Sequence, residues 1–269
     1  MRFIYSIPDW LIYFLLLALI IGNVSRGSTR TKTPAPPPKL GPSLPNVKPT
    51  DTTVLVELDA PHSGVGTAFA TDAKGGWMTA RHVVDGCDQV GLRLENRKYV
   101  KMDTVRTSKK SDTAFMKSRW KREPLAQDFR SQRNIGEHGF FMGFPQGKPG
   151  ELAGKLLGRH RMMVRGRYRT SEPILAWTEM SRSRGLEGSI GGLSGGPVFD
   201  ADGEVIGLVA AESPRRGRIY TVAPRSLDDE LRDLTKQPKR DGIDVKNYGR
   251  RADTYRRDRR IAQVVCVVK

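Results

Sequence analysis

The chain has 269 residues but only two cysteines, Cys87 and Cys266. They are too few and too far apart for a zinc site. A single disulfide outside the cytosol and a pair of buried free thiols both stay open. Acidic residues are scarce, 29 against 46 Lys and Arg, for a net charge of +17. Such an excess suits nucleic acid or an anionic surface. Here the positive charge is spread along the chain, and no RNA-binding motif or zinc-finger spacing accompanies it. No specific nucleic acid is therefore expected. A solvated basic surface accounts for the charge, or else an acidic partner such as a lipid headgroup, a polyanion or an acidic protein. There is no internal repeat. Long amphipathic helical patterns are missing between Thr53 and Pro224. No metal and no cofactor are expected.

No charge-free stretch is long enough to cross a bilayer with ease. The run Trp10–Ser25 holds 16 uncharged residues between Asp9 and Arg26, short of the ~20 that a spanning helix needs. We read residues 1–25 as a hydrophobic helix that anchors the chain, with a cleaved signal segment as the alternative, since no clean Ala-x-Ala site follows. Arg26, Arg30 and Lys32 follow the run and favour a cytoplasmic C-terminal side. The bulk of the chain is nevertheless expected outside, on the extracytoplasmic side. Residues 26–52 form a linker. Seven prolines between Pro34 and Pro49 make it an extended spacer.

From 53 to 224 the sequence reads as short strands separated by Gly, Pro, Asn and Asp. Val90, Leu92 and Leu94 alternate with Gly91, Arg93 and Glu95, the period of a half-buried strand. Gly66–Thr71 and Trp77–Ala80 flank a turn at Lys74-Gly75-Gly76, and Asp202-Gly203 marks a second hairpin. The fold class is all-β. Residues 225–269 are read as a short C-terminal helix, with Leu227, Leu231 and Leu234 at helical spacing, and a basic tail. Ile261–Val268 could dock at a sheet edge.

Three residues carry the chemistry. Ser194 lies in Gly-Leu-Ser-Gly-Gly-Pro at 192–197, His82 ends Thr-Ala-Arg-His at 79–82, and Asp112 lies in Ser-Asp-Thr-Ala-Phe-Met. A serine hydroxyl attacks only when a base takes its proton. Histidine titrates near neutrality, and a carboxylate fixes its tautomer. Glycines allow the turn that bares backbone N–H groups for an oxyanion. Asp103 is a rival for Asp112. His62, His138 and His160 have no comparable context and are read as surface residues.

Gly-Val-Gly-Thr-Ala-Phe-Ala-Thr and Trp-Met-Thr-Ala-Arg-His-Val-Val within 64–84, with 111–117, 136–145 and 192–209, resemble trypsin-like serine proteases of bacterial, HtrA type. The resemblance implies two six-stranded antiparallel β-barrels, at about 53–133 and 134–224, with the active site between them. It implies His82, Asp112 and Ser194 as a catalytic triad, and the N–H groups of Gly192 and Ser194 as an oxyanion hole. Gly188 would line the base of the specificity pocket, and Ala210, Ala211 and Glu212 its edge. Glu212 would favour a basic side chain, block the pocket or be solvated. Leu193 stands where digestive trypsins carry an aspartate, so activation by a new amino terminus is not expected. The stretch after 224 is short for a PDZ domain, so peptide-triggered assembly through one is not expected. The partners implied are protein or peptide substrates and, through residues 1–25, a membrane. A catalytically inactive protease-like binder and a basic polyanion or membrane-surface binder are the alternatives.

Overall fold

The computed structural model describes Pro8, Trp10, Leu11, Tyr13, Phe14, Leu17 and residues 40–94, 98–224 and 242–269. The chain divides into two units, Met1–Lys39 and Leu40–Lys269. In the first, Trp10, Leu11, Tyr13, Phe14 and Leu17 are helical, and these five side chains are exposed. The rest of the expected anchor lies outside the described residues. Among the described residues no helix is long and apolar enough to cross a membrane. The helix expected at 225–234 also lies outside them.

The second unit is built on two seven-stranded sheets. The first sheet contains β2 (Gly64–Ala70), β3 (Gly76–Thr79), β4 (Gln89–Arg93), β5 (Tyr99–Lys101), β6 (Thr104–Thr107), β7 (Ala114–Lys117) and β14 (Ile261–Val267), in the order β5-β4-β14-β2-β3-β7-β6. The second contains β1 (Thr53–Leu58), β8 (His138–Gly143), β9 (Gly150–Gly166), β10 (Thr170–Arg182), β11 (Pro197–Phe199), β12 (Val205–Ser213) and β13 (Arg218–Val222). Its order is β1-β9-β10-β13-β12-β11-β8, and a β8–β9 pairing closes the ring.

Two strands depart from the expected layout. The C-terminal β14 is no edge strand. It lies between β2 and β4, pairing antiparallel with both, Ile261 opposite Phe69 and Cys266 opposite Val90. Ile261 and Val264 are fully buried, so a central place removes apolar surface that an edge would leave wet. β1, at the start of the expected first barrel, instead joins the second sheet in parallel with β9, Thr53 opposite Arg161 and Leu58 opposite Gly166. Each sheet therefore holds seven strands, not six.

A disulfide joins Cys87 to Cys266, with Cα atoms 5.5 Å apart and a sequence separation of 179. It ties the last strand to the loop after the helix Arg81–Val84. The stretch read as a basic tail contains the helix Tyr248–Arg257. This helix buries Ala252 and Tyr255, and Tyr255 stacks on Phe199 with centroids 5.2 Å apart. One apolar cluster includes Phe69 and Met78 of the first sheet with Phe140 and Met142 of the second. Their shared core fixes the sheets against each other and so positions the residues between them.

Candidate active site

His82 stands on a single helical turn, Arg81–Val84, at the end of β3. Asp112 precedes β7, the neighbour of β3. Pairing these two strands brings the residues together. Asp112 Oδ2 accepts from His82 Nδ1 at 2.7 Å, and Oδ1 accepts from the His82 backbone N–H at 2.9 Å. The rival Asp103 is exposed.

Ser194 lies in the turn before β11. Ser194, His82 and Asp112 line one pocket of about 310 Å³. Among the described residues, Ser194 and His82 are not hydrogen-bonded to each other; catalytic contacts of this kind commonly tighten only when substrate binds.

The turn is held open by backbone bonds. Gly191 C=O accepts from Gln146 N–H at 2.5 Å. In a trans peptide C=O and N–H point opposite ways, so Gly192 N–H faces away from Gln146. Gly192 has φ +91°, a conformation that side chains disfavour, and a Cβ there would meet the Phe144 carbonyl oxygen. Among the described residues, neither Gly192 N–H nor Ser194 N–H donates to a protein acceptor. These two donors can receive an oxyanion.

Thr67 of β2 is fully buried and ties the first sheet to this turn. Its hydroxyl donates to Gly192 C=O at 2.8 Å and accepts from Phe144 N–H at 3.0 Å. Its backbone N–H donates to Ser194 C=O at 2.8 Å. Thr67 lay inside a recognised motif, but alternation shows only that such a residue points inward, not what it meets across a sheet boundary.

A second set of missed residues comes from the β9–β10 hairpin. Tyr168 O–H donates to Asp112 Oδ1 at 2.9 Å, and Arg81 stacks on the Tyr168 ring at 3.7 Å. Arg167 donates to the carbonyls of His82 and Asp85. Glu172 is 1 % exposed and accepts from Asp112 N–H at 2.6 Å. Asp112 thus sits in a frame of Tyr168, Glu172 and two His82 N–H groups.

These contacts set proton affinities. Burial alone lowers the His82 pKa and Arg167 lowers it further, but the charge and hydrogen bond of Asp112 outweigh both, leaving it above 6.5. Burial, then the Asp112 charge, raise Glu172 well above 4.5, although the bond from Asp112 N–H opposes the rise. Burial first, then Asp112, also push Tyr168 above its usual value, so it stays a donor.

Ala210, Ala211 and Glu212 line the pocket with Ile190 and Gly191. Gly188 does not; its carbonyl is held by Arg182 at 2.9 Å, which turns this left-handed residue (φ +66°) outward. Glu212 accepts from Ile190 N–H at 3.0 Å and from the Ser189 hydroxyl. Leu55, Val56 and Leu58 of β1, with Met162 and Val164 of β9, form an apolar wall. None of His62, His138 and His160 lines the pocket. Elsewhere, carboxylates of Asp128, Asp200 and Glu204 converge within 4.8 Å. A single Arg133 guanidinium bridges Asp128 and Asp200 at 2.9 and 3.0 Å.

Two β-sheets joined by one core bring a His–Asp pair from one and a serine turn from the other to a single pocket. Residues 66–208, more than half of the chain, match the model of the trypsin-like peptidase domain, and the chain belongs to that family. It is 25 % identical over 179 residues to the "Probable periplasmic serine endoprotease DegP-like" of Pseudomonas putida (strain GB-1), covering 66 % of this chain and 35 % of that one. A protein of the same name from Halomonas elongata is 26 % identical over 180 residues, covering 66 % and 36 %. The chain thus spans about a third of the length of these relatives. The active form of the Rv3671c protease from M. tuberculosis superposes with a TM-score of 0.51 at 16 % identity, covering 73 % of this chain and 96 % of that one. The fold is chymotrypsin-like, with two β-domains and a short C-terminal helix.

Proposed function

We propose that the protein is a serine endopeptidase that cuts polypeptides through an acyl-enzyme. The observation that carries this is the His82–Asp112 pair at 2.7 Å sharing a pocket with Ser194 beside two undonated N–H groups. In this reading Ser194 Oγ attacks the scissile carbonyl while His82 Nε2 takes its proton. Asp112 holds Nδ1–H and stabilises the imidazolium. Gly192 and Ser194 N–H receive the oxyanion. His82 then returns the proton to the leaving amine, and water repeats the cycle to free the acid.

Substrate would lie along Ala210–Glu212, with the side chain at the cut between Ile190–Gly191 and that edge. Because the Glu212 carboxylate is taken up by Ile190 N–H and the Ser189 hydroxyl, an apolar side chain suits this space better than a basic one. The β1 wall would receive apolar residues further along the substrate. The disulfide and the periplasmic naming of the relatives support an extracytoplasmic location. Anchoring by residues 1–25 rests on their sequence alone.

The test is hydrolysis of a denatured protein by the full chain, with Ser194→Ala and His82→Ala as controls. The reading predicts cleavage after apolar residues and a loss of ~10⁴-fold or more in both variants. Cleavage unchanged in either variant refutes it.

A further inference from the structure

A second pocket, of about 540 Å³, lies outside the catalytic one. Its polar lining is wholly cationic in its charged members. Arg93 comes from β4, Lys148 from the loop after β8, and Arg256, Arg257 and Arg259 from the C-terminal helix and the turn after it. No carboxylate lines it among the described residues. Arg256 is already committed, to Glu151 and Asp253 at 2.7 Å each. The others differ. Among the described residues, Arg93 reaches only the neutral Gln263 Oε1 at 3.2 Å, and Arg257 only the Thr254 hydroxyl at 3.3 Å. Lys148 is exposed and has no ion pair among the described residues. The floor between these cations is apolar, made by Leu94, Phe144, Pro149, Ile261 and Ala262.

Cations alone would describe a general polyanion surface. Cations around an apolar floor describe something narrower. A phosphate polymer offers charge but little aliphatic surface to bury, whereas an extended peptide with alternating acidic and apolar residues offers both. The fold also explains why the groove exists. Inserting β14 into the first sheet brings the helix Tyr248–Arg257 and its arginines against the β8 loop, where the two sheets meet. Phe144, Gly147 and Lys148 of that loop line the groove, while Gln146 between them holds Gly191 beside the catalytic serine.

We propose that this groove, distinct from the catalytic pocket, binds an acidic, partly apolar peptide segment of a protein partner or substrate. It supplies a docking point on the 144–149 loop, whose Gln146 holds Gly191 beside Ser194.

The probe is a fluorescent peptide of alternating Glu and Leu, with a Gln-Leu peptide of the same length and a heparin oligosaccharide as comparators. Binding is measured by anisotropy on the full-length Ser194→Ala chain, so that a peptide cut and a peptide released are not confused. This also keeps the result separate from the protease reading, because no turnover is needed. Saturable binding of the Glu-Leu peptide is expected, with at least tenfold weaker binding of the Gln-Leu peptide. The paired reversal Lys148→Glu and Arg257→Glu should weaken Glu-Leu binding at least tenfold. Reversal of the exposed Arg215, outside the groove, should leave it within twofold. All of these side chains are exposed, and thermal unfolding of each variant checks that the fold is kept. Equal affinity for the Gln-Leu peptide, or equal weakening by Arg215→Glu, overturns the proposal. So does binding of heparin, sensitive to the paired reversal, without binding of the peptide.

Discussion

The two sheets hold opposite halves of one site and are assembled in opposite ways. Six of the seven strands in the second sheet come from one stretch, His138–Val222, joined mostly by hairpins. The first sheet is split along the sequence. Its six early strands end at Lys117, and its central β14 arrives only at Ile261. Local pairing closes with little loop entropy, whereas a strand from the far end of the chain must find its slot after most of the chain is ordered. The half that carries His82 and Asp112 is thus the half that depends on distant sequence. The half that carries Ser194 is largely self-contained.

The strongest way to break this contrast is to remove residues 261–269. Ile261 and Val264 are fully buried, at about 1.5–3 kcal/mol each, and the disulfide is lost as well. That sum rivals the whole stability of an ordinary domain, about 5–15 kcal/mol. The expected outcome is loss of protection in hydrogen exchange across β2, β3 and β4, with β8–β13 retaining more. Uniform loss across both sheets would remove the distinction.

Replacing both Cys87 and Cys266 by serine is milder. It should cost about 2–5 kcal/mol in denaturant unfolding, with activity retained at low temperature. A midpoint unchanged from the native chain would show that the clip contributes nothing.

Thr67→Val probes the seam between the sheets. The substitution keeps the shape but strands Gly192 C=O and Phe144 N–H. Turnover should fall about 10–100-fold with KM little changed, because the Gly192–Ser194 turn, not the Ala210–Glu212 edge, is disturbed. A rise in KM with kcat intact would place Thr67 in substrate binding instead.

Glu172→Gln is the smallest change, and the sign of its effect follows from the raised pKa. The folded chain keeps the Glu172 proton above pH 4.5, where the unfolded chain has lost it. The folded state then binds more protons, and this residue's contribution to stability falls as pH rises. Glutamine still accepts from Asp112 N–H but does not titrate. The Tm advantage of the variant should be small near pH 4 and grow toward neutrality. A difference independent of pH would show that Glu172 is ionised in the fold.

The same contrast governs what could be read in advance. The β2–β3 and β11–β12 hairpins were legible because Gly-Gly and Asp-Gly turns separate alternating apolar residues. That His82, Asp112 and Ser194 meet at one pocket was legible because each sits in a short motif. The β9–β10 hairpin was not, since Lys155, Arg159, Arg161 and Arg165 fall between its apolar residues and disguise a strand as a basic stretch. With it went Tyr168 and Glu172. The helix Tyr248–Arg257 buries only Ala252 and Tyr255, too few residues to betray a period. The place of β14 depends on pairing with β2 and β4, far earlier in the chain, and no local pattern encodes that.

The central claim is that the imidazole of His82, raised in basicity by Asp112, serves as the base for Ser194. It is tested most directly by the pH dependence of Ser194 acylation by a fluorophosphonate. The account predicts a rate that rises with pH through a midpoint above 6.5, is abolished by His82→Ala, and shifts to lower pH and falls in amplitude in Asp112→Asn. A rate that is flat from about pH 5 to 8, or a profile untouched by either substitution, would contradict it.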